Sequence, residues 1–136
     1  MTAARAVVDT NILVSAFIRP AGPPGRVVDA ICDGSLVPVV SAEILQEYDE
    51  VLRRPKLRFD GAAVSALLDL MRDLGYQVEL QEQALPQGLP DADDWPFIAA
   101  ALAADCPVIT GNARHFPKRL GVRVISAREW VASPSG

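Results

Sequence analysis

The sequence predicts an α/β fold, a three-layer sandwich built on a central, mainly parallel sheet and wound on both faces. Two observations predict it. Short apolar runs rich in Val, Ile and Leu alternate along the chain with longer stretches that carry helical periodicity, and parallel strands need such crossovers. The chain also has 136 residues, half of them hydrophobic, which fits one domain over residues 1–136 with a core that needs no staples.

The elements follow in order. Ala6-Val7-Val8 reads as a buried strand ending at Asp9. Thr10 and Asn11 can cap the apolar stretch Ile12 to Ile18, which breaks at the Pro- and Gly-rich segment after Arg19. A helix is expected from Arg26 to Cys32, stopping near Gly34, and then a strand over residues 36–40, where Pro38 suggests a short or irregular start. Ser41 is a good N-cap for a helix whose apolar stripe is Ile44, Leu45, Tyr48, Val51 and Leu52, ended by Pro55. A further helix is expected from Asp60 to Leu74, stopped by Gly75, and an edge strand over residues 77–80. Residues 81–93 read as a loop. Asp94 is a candidate cap for a helix reaching Asp105, and Pro96 is tolerated in its first turn. Strands over 107–110 and 122–125 and a short helix containing Trp130 complete the chain.

Composition narrows the function. With 13 Lys and Arg against 17 Asp and Glu, the net charge is −4, so the chain is no general nucleic-acid coat. Phosphate would have to be met by local basic patches and bound cations. Cys32 and Cys106 form no spacing pattern and read as small buried residues rather than a disulfide or thiolate site. No apolar leader and no run long enough to span a membrane is apparent, so a cytoplasmic location is the expectation.

Ligands of such sheets bind beyond the carboxyl ends of the strands. Asp9 lies at the end of the first strand, and Thr110-Gly111-Asn112 at the end of a later one. Asp94 begins a crossover helix at that same edge, with Asp91 and Asp93 just before it. Glu47 falls beside Val51 on the border of an apolar stripe, where a carboxylate can point into a cleft. Each residue has an ordinary reading. Asp9 and Asp94 suit helix caps, Asp91 and Asp93 suit a loop, Glu47 suits a solvated helix face, and Thr110 and Asn112 suit a turn. Their convergence on one rim favours a shared site. Clustered carboxylates repel one another and call for a hard cation, and oxygen ligands favour Mg²⁺ or Mn²⁺ over zinc. Such ions polarise a phosphodiester and activate water. His115 is the chain's one histidine, so a two-histidine acid–base ribonuclease is excluded. Basic residues gather as Arg53, Arg54, Lys56 and Arg58, and again as Arg114, Lys118 and Arg119 beside His115. A solvated surface is the usual fate of such runs. The second cluster follows Asn112 and is placed to hold phosphates.

The segments VDTNIL (residues 8–13), SAEILQEY (41–48), DADDWPFIAAA (91–101) and ITGNARHF (109–116) together resemble a PIN domain, over nearly the whole chain. The nearest likeness is to VapC-like toxins of bacterial toxin–antitoxin pairs. That resemblance implies a Mg²⁺- or Mn²⁺-dependent ribonuclease that cleaves RNA in an acidic pocket. By motif position Asp9, Glu47 and Asp94 match the core acids and Asp91 an accessory acid. Asn112 falls where many members carry a further Asp, which weakens a second metal position. Asp9, Glu47, Asp94 and Asn112 are thus the candidate catalytic residues, and Asp9, Glu47, Asp91 and Asp94 the candidate metal ligands. Asn11, Thr110, Arg114 and His115 are the candidate substrate-binding residues. The resemblance further implies a homodimer and a cognate antitoxin that blocks the pocket. The alternative is a PIN-like module that binds RNA or protein with little or no catalysis. A phosphoacceptor receiver domain is disfavoured because Asp9 lacks a neighbouring acid and Val124-Ile125-Ser126 carries no Lys. A haloacid-dehalogenase-like phosphatase is disfavoured because Asp9-Thr10-Asn11 lacks the second acid of its motif. No GxGxxG follows a strand, so dinucleotide binding is disfavoured too.

Overall fold

A computed structural model describes residues 4–81, 85–89 and 91–132. Its centre is a five-stranded sheet in the order β3-β2-β1-β4-β5, with every pairing parallel. The strands are β1 (Ala4–Val8), β2 (Leu36–Val40), β3 (Tyr76–Gln77), β4 (Val108–Ile109) and β5 (Val124–Ile125). The helices are α1 (Thr10–Ile18), α2 (Pro23–Asp33), α3 (Ala42–Leu52), α4 (Gly61–Leu74), α5 (Trp95–Ala104) and α6 (Ala127–Ala132). Ala6, Val7 and Val8 are consecutive and all fully buried. Side chains alternate across a strand, so both faces of β1 are covered, which is why this strand reads as a continuous apolar run.

The chain winds outward from β1 through β2 to β3, then returns through α5 to β4 on the other flank of β1. The winding therefore reverses direction between β1 and β4. In an open parallel sheet this reversal leaves a crevice beyond the carboxyl ends of those two strands. Asp9 and Thr110 are the residues that follow them.

Several boundaries differ from expectation, each for a local reason. α2 starts at Pro23 rather than Arg26, because prolines in a first turn lose no intrahelical bond. Gly25 is required in that turn, since a Cβ there would lie 1.8 Å from the Pro20 carbonyl oxygen. The third strand covers residues 76–77 instead of 77–80, with one further bond from the Val78 amide to the Val40 carbonyl. That bond also explains Pro38. Residues of equal parity in a strand point their amides the same way, so Pro38, like Val40, faces the β3 side. β3 pairs only from Val39 onward, so the missing N–H of Pro38 costs no ladder bond there. The strands at 108–109 and 124–125 are shorter than expected. Of the expected loop over 81–93, residues 82–84 and 90 lie outside the described residues. Cys106 is buried as expected, but Cys32 is exposed. Cys32 is one step of about 100° round α2 from the buried Ile31, which turns it off the packed face.

Candidate active site

Asp9 continues the ladder of β1 by one residue, its amide donating to the Ile109 carbonyl at 2.9 Å. Its side chain is buried beside the core, at 8% exposure. The residue occupies the N-cap position of α1 but makes no capping hydrogen bond, so helix capping does not account for it. Its carboxylate instead accepts from the Thr110 hydroxyl at 2.7 Å. The Thr110 oxygen in turn accepts from the Asn112 amide at 3.0 Å, which commits the hydroxyl proton to Asp9. Behind Asp9, the fully buried Tyr48 hydroxyl donates to the carbonyl of Val8 and fixes the end of β1.

Glu47 comes from α3. Ser41 caps that helix by accepting from the Ile44 amide at 3.1 Å, and Ile44, Tyr48 and Leu52 are buried. Full burial of such side chains contributes roughly 1.5–3 kcal/mol each, enough to fix the rotation of the helix. Glu47 is then carried on the half-buried border, where Thr10 donates to it at 3.5 Å. Asp94 stands at the N-cap position of α5 and likewise makes no capping bond. Its Oδ2 accepts from the His115 Nδ1–H at 3.1 Å. Capping falls to Asp91, which accepts from the Asp93 amide at 2.9 Å and starts the single 3₁₀ turn ahead of α5. Each of the three acids Asp9, Glu47 and Asp94 thus has one oxygen held by a donor of the chain itself.

These residues line one cleft of about 340 Å³. It is walled by Val14, Val51 and Phe97 and holds Asp9, Glu47, Asp91, Asp93 and Asp94, with Asn11, Thr10, Asn112, His115 and Arg54. Burial raises the Asp9 carboxyl above its ordinary value, against the Thr110 hydroxyl, the Thr10 amide and the charge of His115. Glu47 is raised by burial and then by Asp93 and Glu50, with Arg54 opposing. Asp94 is pushed up to about 6, by burial first and then by Asp9 and Asp91. Carboxylates that hinder one another's ionisation form a donor set suited to a hard cation. Among the described residues, no three His, Cys, Asp or Glu side chains stand close enough to enclose an ion by themselves. That suits Mg²⁺, which keeps several waters and takes one or two carboxylates plus phosphate oxygens rather than a full protein cage.

The expected rim residues fall as follows. Asp9, Glu47, Asp91 and Asp94 line the cleft, as do Asn11, Asn112 and His115. Asn11 accepts from the Gly111 amide at 3.5 Å, and so joins the loop after β4 to the first turn of α1. Thr110 is buried just behind Asp9 and is not part of the lining. Arg114 is exposed and does not line the cleft. Within the same basic cluster, Arg119 is turned toward the Gln87 carbonyl. Two charged residues left out of the candidate set line the cleft, Asp93 and Arg54, as does the polar Thr10. Arg54 lies two residues past the end of α3, in extended geometry before Pro55, so no helical spacing marks it.

No helix among the described residues is long and apolar enough to cross a membrane. Comparison with known proteins finds that residues 5–114 match the profile of a family described as "PIN domain". An uncharacterized protein of Methanocaldococcus jannaschii, MJ1680, is 32% identical over 109 residues, which cover 79% of this chain and 70% of that protein.

Proposed function

This chain belongs to the PIN domain family, and from that membership and the chemistry of the cleft we propose that it is a Mg²⁺- or Mn²⁺-dependent endoribonuclease. PIN domains are generally nucleases. The observation that carries the reading is the set of three acids lining one cleft, each within reach of its own hydrogen-bond partner, at the switch point of the sheet. Asp9, Glu47 and Asp94 would hold the ion, one or two of them directly and the rest through its water, by the oxygens that Thr110, Thr10 and His115 leave open, with Asp91 at the rim. When bound, the ion supplies neutralisation of phosphate charge and activation of water.

The chain's own residues do the rest. Thr110 fixes the Asp9 carboxylate in one rotamer, and the Asn112 amide fixes Thr110. His115 donates to Asp94 and so keeps one of its oxygens from turning away. Val14, Val51 and Phe97 exclude water from the cleft walls and strengthen every charge interaction within. The Asn112 side chain is neutral where a further carboxylate would favour a second ion, so one ion position is strong and the other weak.

The test is cleavage of single-stranded RNA with Mn²⁺, with Mg²⁺ and in excess EDTA. Cleavage with metal and none in EDTA is expected. Full activity in EDTA overturns the reading. Binding of RNA without cleavage under any metal favours instead a binding module that has lost catalysis. We further propose that the protein acts as the toxin of a toxin–antitoxin pair, as a cytoplasmic homodimer whose pocket is covered by a cognate antitoxin. Support for this comes from the likeness of its motifs to VapC-like toxins. A monomer by light scattering at micromolar concentration counts against the dimer, and growth unaffected by expression of the active chain counts against the toxin.

A further inference from the structure

We propose that Arg54 anchors a backbone phosphate of the RNA strand, one flanking the bond that is cut, at the α3 end of the cleft. The inference rests on the ribonuclease reading and assigns part of its substrate binding to a residue outside the acid cluster.

Three observations carry it. First, the two neighbouring arginines at the end of α3 have different surroundings. Arg53 is tied down on the outer side, donating to Asp49 at 2.7 Å, to the Gly61 carbonyl at 3.3 Å and to Ser65 at 2.7 Å. Arg54 lines the acidic cleft, yet among the described residues its side chain makes no ion pair and no hydrogen bond. A guanidinium beside carboxylates that remains unpaired keeps its planar fork of donors available to an anion from outside.

Second, the backbone of Arg54 is held in place. Pro55 confines the preceding residue to extended geometry, and Arg54 has φ −61° and ψ 128°. Its amide donates to the Val51 carbonyl at 3.2 Å, and its carbonyl accepts from the Leu57 amide at 3.0 Å. The side chain is therefore launched from a fixed point at the lip of the cleft.

Third, His115 and Arg54 reach the cleft from different elements: His115 lies 3.1 Å from Asp94 in the turn after β4, whereas Arg54 follows the helix that carries Glu47. A strand whose scissile phosphate meets Asp9 and Asp94 would bring a neighbouring phosphate to Arg54. In a chain of net charge −4, one such contact is a large share of the phosphate attraction available.

The experiment pairs two readouts on wild type, Arg54→Ala and Lys56→Ala. Lys56 is exposed two residues further on and does not line the cleft, so its loss removes the same charge without the contact. Binding of a labelled single-stranded oligoribonucleotide is followed by fluorescence anisotropy, with Ca²⁺ in place of Mg²⁺ and over a series of salt concentrations. Steady-state cleavage is followed in Mn²⁺. Arg54→Ala is expected to raise Kd and KM about tenfold while changing kcat little, as fits a lost charged hydrogen bond. It should also lower the slope of log Kd against log salt by about 0.7, the value for one single-strand phosphate. Lys56→Ala should bind as wild type. Arg54→Ala that binds as wild type, or no more weakly than Lys56→Ala, overturns the inference. So does a wild-type protein that binds no RNA. Wild type that binds RNA through Arg54 but cleaves nothing refutes the catalytic reading and leaves this contact standing.

Discussion

At the scale of single residues, the cleft sets stability against function. Asp9 is buried with its carboxyl raised, so at neutral pH its charge is a cost to the metal-free fold. Asp9→Asn is expected to cut RNA cleavage at least ~100-fold while raising Tm in EDTA, because the amide still accepts from Thr110 without a buried charge. A lowered Tm together with lost activity would show a misfolded variant instead. Asp94 adds a pH signature. Its folded value of about 6 exceeds the ordinary 3.8, so the folded state holds the proton more tightly. That contribution is complete below the unfolded value and is lost as pH rises through the folded one. In EDTA, stability should therefore fall between about pH 4 and 6, and Asp94→Asn should flatten the fall. Thermal melts across that range check it, and identical wild-type and variant slopes refute it. Asp9, Asp91 and Asp94 were legible in the sequence because strand ends and helix starts on one edge can be counted from apolar runs, and Glu47 because it borders the apolar stripe of its helix. Arg54 was not, because it stands in a run of basic residues, and runs of that kind are usually solvated. It also lies two residues beyond the end of α3, where a helical stripe gives no guide.

At the scale of elements, α3 joins the core to the cleft. Tyr48 packs near Phe97, with ring centroids 6.1 Å apart, and its hydroxyl reaches the last carbonyl of β1. Tyr48→Phe keeps the ring and removes the donor. It is expected to cost about 1–3 kcal/mol, since the buried carbonyl loses that partner. It should also lower cleavage, since the same carbonyl precedes Asp9. Urea denaturation gives the first quantity, and a midpoint equal to wild type would show that the bond contributes nothing. The order of strands and helices was readable from the sequence, because short apolar runs differ from longer stretches that carry a period of 3.6. Element edges were less readable. β3 has two residues and takes its pairing from the fixed edge of β2 rather than from its own alternation. α2 gains its first turn from the Pro-Pro pair at 23–24 and from the close approach of Gly25 to Pro20, a tertiary contact with no local signature.

At the scale of the whole molecule, the core and its surface treat the two cysteines differently. Burial pushes the Cys106 thiol up to about 11, whereas Cys32 is exposed on α2. A thiol reagent at about pH 8 should label Cys32 in the native protein and both cysteines only after denaturation. Rapid native labelling of Cys106 would mean that the region around β4 opens readily. The hydrogen bond from Thr110 to Asp9 spans 101 positions of the chain, and that separation has a consequence for biosynthesis. β1, Asp9 and Glu47 leave the ribosome early, but β4, Thr110 and His115 come late, and a chain generally folds from its N-terminal side as it emerges. Until β4 and the turn after it arrive, Asp9 has neither the hydroxyl that orients it nor the strand that flanks it. A chain made only as far as α5 therefore carries all the cleft's acids and none of the finished cleft, so any activity of that site is expected to wait until β4 has been made.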